Sequence, residues 1–176
     1  MELTPVMQKF ILHWGEMGAR WGVNRTVAQV QALLYLSPRP LHAEEISSTL
    51  SVARSNVSTS LRELQNWGLI KVANVLGDRR DHFESLKDVW EIYTLVLAER
   101  KKRELDPTLA LLRECTEEVN RSKADDSYTK ERLEEITGFV ESAMGWYEDF
   151  RSLPKDTVLK LMKLGSKVQK FLVKKS

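Results

Sequence analysis

Residues 53–83 read "ARSNVSTSLRELQNWGLIKVANVLGDRRDHF", and the two halves of this stretch obey different periods. In the first half Val57, Leu61 and Leu64 recur at steps of four and three, a narrow apolar stripe on a helix that starts near Arg54. Gly68 stands where a glycine ends a helix. The period then shortens. "LIKVANVL" alternates as a strand, with Ile70, Val72 and Val75 on it. "GD" signals a turn, and "HFESL" reads as the returning strand. The stretch therefore predicts a helix followed at once by a hairpin, whose tip carries Gly77 to Asp81.

The face of the helix opposite the stripe carries Arg54, Ser55, Asn56, Ser58, Thr59, Ser60 and Arg62. Ser, Thr and Asn are poor helix formers, and an unpartnered surface helix would carry Glu and Lys instead. Short polar side chains let a helix come close to a groove and reach phosphates and base edges. A Ser-rich start that merely caps and turns the chain is the plainer reading. The hairpin tip tilts the choice toward DNA. Arginine is flat, always charged and weakly hydrated, which suits a narrow minor groove. Arg79 and Arg80 sit together there, flanked by Asp78 and Asp81. Carboxylates facing phosphate would repel it, so the two aspartates read as groups that orient a guanidinium. A solvated turn with weak ion pairs is the alternative.

Outward from this centre the chain is helical. Phe10, Trp14, Met17 and Trp21 form one stripe of a helix over about Leu3 to Trp21, with Gly15, Gly18 and Gly22 beside it. The glycines allow either close backbone approach or a frayed end. Val27, Val30, Leu33 and Leu34 mark a second helix, broken by Pro38 and Pro40. Ile46 and Leu50 mark a short third. After the hairpin Asp88 caps a long helix, Asp106-Pro107 starts another to about Asn120, and "RSKADDS" is a polar connection. Helical spacing resumes over about Thr129 to Ser152 and Asp156 to Val173.

The predicted fold is mainly α with a small β-hairpin: a winged helix-turn-helix flanked by N- and C-terminal helices that form a dimerisation domain. The expected divisions are an N-terminal helix over 1–22, a DNA-binding domain over 23–88 and a helical dimerisation and effector domain over 89–176. A homodimer on a palindromic operator in double-stranded DNA follows, since two-fold proteins suit two-fold sites.

Composition sets the outer bounds. The 176 residues are 42% apolar and 30% charged, which is ordinary for a folded chain. A net charge of +2 means any nucleic-acid binding must come from local placement of charge. No apolar run approaches the roughly 20 residues of a membrane span, and the N-terminus has no secretory pattern. No membrane insertion and a cytoplasmic location are the expectations. Cys115 is the single cysteine, which excludes an internal disulfide framework. It reads as a buried thiol, with a redox sensor as the alternative. His13, His42 and His82 show no metal-ligand spacing, and no cofactor, nucleophile elbow or phosphate loop is evident, so an enzyme is not expected.

"ARSNVSTSLRELQNWGLIKV" followed by "GDRRDHF" resembles the MarR-type regulators, with their polar recognition helix, Leu-x-x-Leu-x-x-x-Gly-Leu-Ile exit and Asp-Arg-Arg wing. "GDRRDHFES", "DVWEIY" and "ERKKRELDP" resemble the GbsR branch in particular. The resemblance covers Asn24 to Pro107 most strongly. It implies a dimeric winged-helix transcription factor, expected to be a repressor, with Arg79 and Arg80 on the wing and contacts from Arg54 to Arg62. Some members of that branch sense choline or glycine betaine. A quaternary ammonium needs surrounding aromatic faces. Phe10, Trp14, Trp21, Trp90 and Tyr93 are the candidates for such an effector pocket, and core or dimer packing is the plainer role for them. A winged-helix protein-interaction module without sequence-specific DNA binding is the alternative function. Lys160, Lys163, Lys167, Lys170 and Lys174 line one face of the last helix, read as a solvated face or as a contact to membrane or DNA backbone.

Overall fold

The computed structural model describes residues 1–121, 127–161 and 163–164. The chain forms two compact units, Met1–Leu97 and Ala98–Ser176. The first contains helices α1 (Pro5–Arg20), α2 (Arg25–Leu36), α3 (Ala43–Leu50) and α4 (Arg54–Asn66), and strands β1 (Leu41–His42), β2 (Ile70–Ala73) and β3 (His82–Ser85). Helix α5 (Val89–Arg100) begins in this unit, and its Ile92, Leu95 and Val96 pack against the core.

Caps fix the helix starts. Thr4 Oγ1 accepts from the Met7 amide at 3.3 Å, with Pro5 in the first helical position. Asn24 Oδ1 accepts from the Thr26 amide at 2.8 Å. Asp88, expected as a cap, accepts from the amides of Trp90 and Glu91 at 2.8 and 3.0 Å. The stop at Gly68 is also as expected, with φ of +71°.

The core is built on α2. Val30, Leu33 and Leu34 are almost wholly buried, and Ile46, Val57, Leu61, Leu64, Leu69, Ile70 and Phe83 close around them. Helix α1 packs on α2 through its glycines. A Cβ added to Gly18 would lie 2.5 Å from Ala28 Cβ, and one added to Gly15 would lie 2.7 Å from Gln29 Cγ. Close approach is thus the role of these two residues, while Gly22 turns the chain at φ +75°. The aromatic stripe is not the seam: Trp14 and Trp21 are 42% and 51% exposed, whereas Ile11 and Gly15 are buried. Indole rings are too bulky for a contact in which two backbones come this near.

The sheet has three antiparallel strands in the order β1-β3-β2, one more than the expected hairpin. Strand β1 is two residues long and directly follows Pro40, too short to show a period. It pairs Leu41 with Phe83 and His42 with His82, while β2 pairs Val72 with Phe83 and Ala73 with His82. Val72 and Val75 are 45% and 38% exposed, so only Ile70 and Leu69 anchor this strand to the core. Behind β3, Lys87 Nζ donates to the carbonyls of Leu34, Tyr35 and Ser37 at 2.9, 2.7 and 2.9 Å, satisfying acceptors at the end of α2. It also lies 5.7 Å from the centre of the Tyr35 ring.

The second unit holds a π-helical turn (Lys101–Leu105), α6 (Asp106–Arg121) and α7 (Ser127–Ser152). Asp106-Pro107 opens α6 out of the wide turn, with the Asp106 amide bonded to Lys101 O. A helix ahead of proline must accommodate a ring that lacks an N–H, and a π-turn does so without ending the helix. Helices α6 and α7 pack together, with Thr116 and Thr137 hydroxyls 3.1 Å apart and Arg113 Nε 2.8 Å from Glu141 Oε1. Leu109 and Met144 are buried, Cys115 is half-buried, and Leu111, Tyr128, Ile136, Phe139 and Trp146 are exposed. Residues 155–161 are helical. Lys160 and Lys163 are exposed, whereas Lys167, Lys170, Lys174 and most of "RSKADDS" lie outside the described residues.

Candidate nucleic-acid interface

Helix α4 follows α3 across a tight turn at Ser51–Ala53, in which Ser51 adopts φ +53°. The Ser47 hydroxyl donates to Val52 O at 2.7 Å and fixes the turn. Helix α4 then buries Val57, Leu61 and Leu64 and leaves Arg54, Ser55, Asn56, Ser58, Thr59 and Arg62 exposed. Ser60 is an exception to the expected polar face. It is only 2% exposed, because it continues the buried stripe at i+3 from Val57 and i−4 from Leu64. It has no reach to a groove.

The wing treats its two arginines differently. Arg80 Nε lies 2.9 Å from Asp78 Oδ1 and 3.0 Å from Oδ2, its Nη2 also donates to Oδ2, and its own amide bonds Oδ1 at 3.0 Å. The guanidinium holds the Asp78 carboxyl well below the usual carboxylate range, and the same hydrogen bond raises the pKa of Arg80. Asp78 thus holds the Arg80 guanidinium and amide. Asp81 does not: it is exposed and forms no hydrogen bond or ion pair among the described residues. Arg80 folds back onto Asp78, two residues before it in the chain. Arg79 is exposed and likewise has no partner among the described residues.

Helix α4 and the wing share one cleft of ≈ 360 Å³, lined by Glu44, Arg54, Ser58, Arg62, Arg80 and Asp81 among others. Glu44, in the first turn of α3, accepts from Arg54 Nη1 at 2.7 Å. Its carboxyl is held below its ordinary value first by its own backbone amide, with His42 and Arg54 adding to the effect. Glu45 beside it is pushed down to about 2, chiefly by the hydrogen bond from Arg39. The sequence reading missed Glu44 and weighed His42 only as a metal ligand. The available signal was "HAEE" before a short helix, a capping residue followed by acids in the first turn.

A second, apolar cavity of ≈ 230 Å³ lies in the same unit. Trp14 and Trp21 line it, together with Met17, Gln31, Trp67 and Ile92. Phe10, Trp90 and Tyr93 do not. Phe10 stacks on Trp14 at 5.3 Å, and Trp90 packs against Tyr93 at 6.0 Å. Of the five candidate aromatic residues, two reach the cavity, and Trp67 at the end of α4 supplies the third indole. Gln31 is 6% exposed, and its side chain makes no hydrogen bond among the described residues. Among the described residues no cluster of His, Cys, Asp and Glu could hold a metal ion, and no helix is long and apolar enough to cross a membrane.

Helices α2, α3 and α4, the three-stranded sheet and the wing define a winged helix-turn-helix. Residues 21–81 match the sequence model of the MarR family. The chain is 19% identical over 134 residues to the HTH-type transcriptional repressor OpcR of Bacillus subtilis (strain 168), covering 75% of this chain and 72% of that one. A second protein of that strain, YvaV, is 18% identical over 146 residues, covering 83% of this chain and 82% of its own. A solved structure described as a transcriptional regulator shares the fold with a TM-score of 0.53 at 20% identity, over 82% of this chain and 99% of that one.

Proposed function

We propose that this chain is a homodimeric, sequence-specific DNA-binding transcriptional regulator, a repressor in the GbsR branch of the MarR-type proteins. The observation that carries the reading is the shared cleft. One exposed helix face of short polar side chains with Arg54 and Arg62 adjoins a wing bearing one clasped and one unpartnered arginine. A protein-binding face would present apolar or aromatic anchors instead. In this reading α4 enters a major groove, and Arg79 is the wing residue that reaches the neighbouring minor groove or backbone. The exposed apolar side chains of α6 and α7 support a second copy as the partner that covers them. The repressor assignment follows the name of the Bacillus subtilis relative.

The test is binding of the full chain to DNA from upstream of its own gene, at two salt concentrations. A regulator that neutralises several phosphates loses affinity steeply between about 50 and 200 mM salt. Failure to bind any genomic fragment would favour the protein-interaction reading.

An effector fits the same proposal. The cavity offers three indole faces and the side-chain amide of Gln31, a lining suited to a small quaternary ammonium compound. Trp67 is the C-cap of α4, so an occupant touches the end of the proposed recognition helix and biases its position. A thermal-shift series with choline, glycine betaine and related cations checks this. At tenfold excess over Kd a bound ligand stabilises by about 1.4 kcal/mol, a rise in Tm of several degrees, and Trp67→Ala abolishes it. No shift with any of them would end the cage reading.

A further inference from the structure

The two arginines held by carboxylates in the cleft, Arg54 on Glu44 and Arg80 on Asp78, are joined by a pair of histidines. His42 and His82 are cross-strand neighbours on β1 and β3, and their rings meet edge to face with centroids 5.3 Å apart. His82 is only 5% exposed. Its Nδ1 lies 2.9 Å from Arg80 O, and its Nε2 lies 3.6 Å from Asp78 Oδ2. A carbonyl can only accept, so Nδ1 carries the hydrogen in that contact. A second proton on this ring must therefore go to Nε2, beside Asp78.

His42 is arranged with its nitrogens the other way round. As the N-cap of α3, its Nδ1 accepts from the Glu45 amide at 3.3 Å. The same nitrogen lies 3.1 Å from Glu44 Oε2. While Nδ1 is bare, two acceptors face each other there. A proton on Nδ1 turns that contact into a charge-assisted hydrogen bond, at the cost of the cap from the Glu45 amide. On both rings, then, the nitrogen that gains the second proton faces the carboxylate that holds an arginine of the proposed DNA surface.

We propose that His42 and His82 are positioning residues that set how firmly Glu44 and Asp78 hold Arg54 and Arg80, so that DNA affinity rises as pH falls through the histidine range. The inference rests on the DNA-binding reading above. Histidine changes charge between about pH 5 and 8. Protonation places a second cation on each carboxylate, weakens its claim on the arginine, and adds positive charge beside the groove-facing surface. The charged and titratable neighbours are few. His82 faces Asp78 and Arg80 from the wing and His42 from β1. His42 faces Glu44 and Glu45 from α3 and His82 from β3, with Arg54 beyond Glu44. The bound state holds the extra proton, which fixes the sign: affinity is gained toward low pH.

The experiment measures the Kd of the full chain for a DNA fragment it binds, at about pH 6 and pH 8 and constant ionic strength. The parent should bind about three- to tenfold more tightly at the lower pH, the range expected for one or two exposed charge pairs. His42→Gln, on the more accessible ring, and His82→Asn should each flatten that profile. His13→Gln, on α1 and outside the network, should leave it unchanged. Equal parent affinity at both pH values, or an undiminished pH dependence in His42→Gln, overturns the histidine role and leaves the regulator reading standing. Absence of DNA binding at either pH overturns the regulator reading, and the histidine role with it.

Discussion

Replacing Arg79 and Arg80 together by alanine weakens DNA binding by about 1–3 kcal/mol, a loss of roughly 5- to 150-fold. The two positions contribute by different routes. Arg79 has no partner among the described residues, so its charge is available to phosphate without first breaking a contact. Its removal alone lowers the slope of log K against log salt by about one. Arg80 is committed to Asp78 through the side-chain and backbone contacts that also shape the turn. Arg80→Ala bares a carboxylate next to DNA, so Asp78→Ala added to it recovers part of the loss. Gel-shift or anisotropy titrations of the four variants at two salt concentrations check both statements. Unchanged affinity in the double arginine variant would remove the wing from the interface.

Gly18→Ala destabilises the first unit by about 1–3 kcal/mol, the usual range for overpacking a close contact. The sign is not obvious from the sequence. In an exposed helix interior alanine is favoured over glycine by about 1 kcal/mol. Here the new methyl would stand 2.5 Å from Ala28 Cβ, closer than carbon atoms can approach, and the obstructing atom is the root of a side chain and not its flexible end. Helices α1 and α2 must part, which also widens the tryptophan-lined cavity that both border. Ala28→Gly added to Gly18→Ala restores most of the stability, because the pair shares a single space. Urea unfolding of the single and double variants is the measurement. A stabilised Gly18→Ala would show that α1 moves freely on α2.

Most of the first unit was legible in the sequence because its signals are local. Val57, Leu61 and Leu64 repeat at helical spacing, and Gly68 and Asp88 stand at helix ends for reasons of capping and chirality. What the sequence hid depends on contacts between distant segments. Strand β1 owes its existence to β3, some forty residues later. The exclusion of Trp14 and Trp21 from the α1–α2 seam follows from how close the glycines let two backbones come. Ser60 was misread because a list of polar residues says nothing about angle, and its place between Val57 and Leu64 decides its face. The clasp of Arg80 by Asp78 and not by Asp81 depends on which way the turn folds back. Glu44, Trp67 and Gln31 went unnoticed, and His42 was weighed only as a metal ligand, for a simpler reason: each is ordinary in its own segment and gains meaning only beside residues from another.

Lys87 carries a consequence for how this sequence can drift. Its ammonium meets three carbonyl oxygens that converge at the end of α2, a match for three hydrogens on one nitrogen. A guanidinium spreads its donors in a flat fork and cannot point three of them into one such nest. The position is thus closed even to arginine, the substitution that charge alone would permit. Because the anchor lies immediately after β3, a lineage that loses it frees the base of the wing before any residue at the wing's tip has changed.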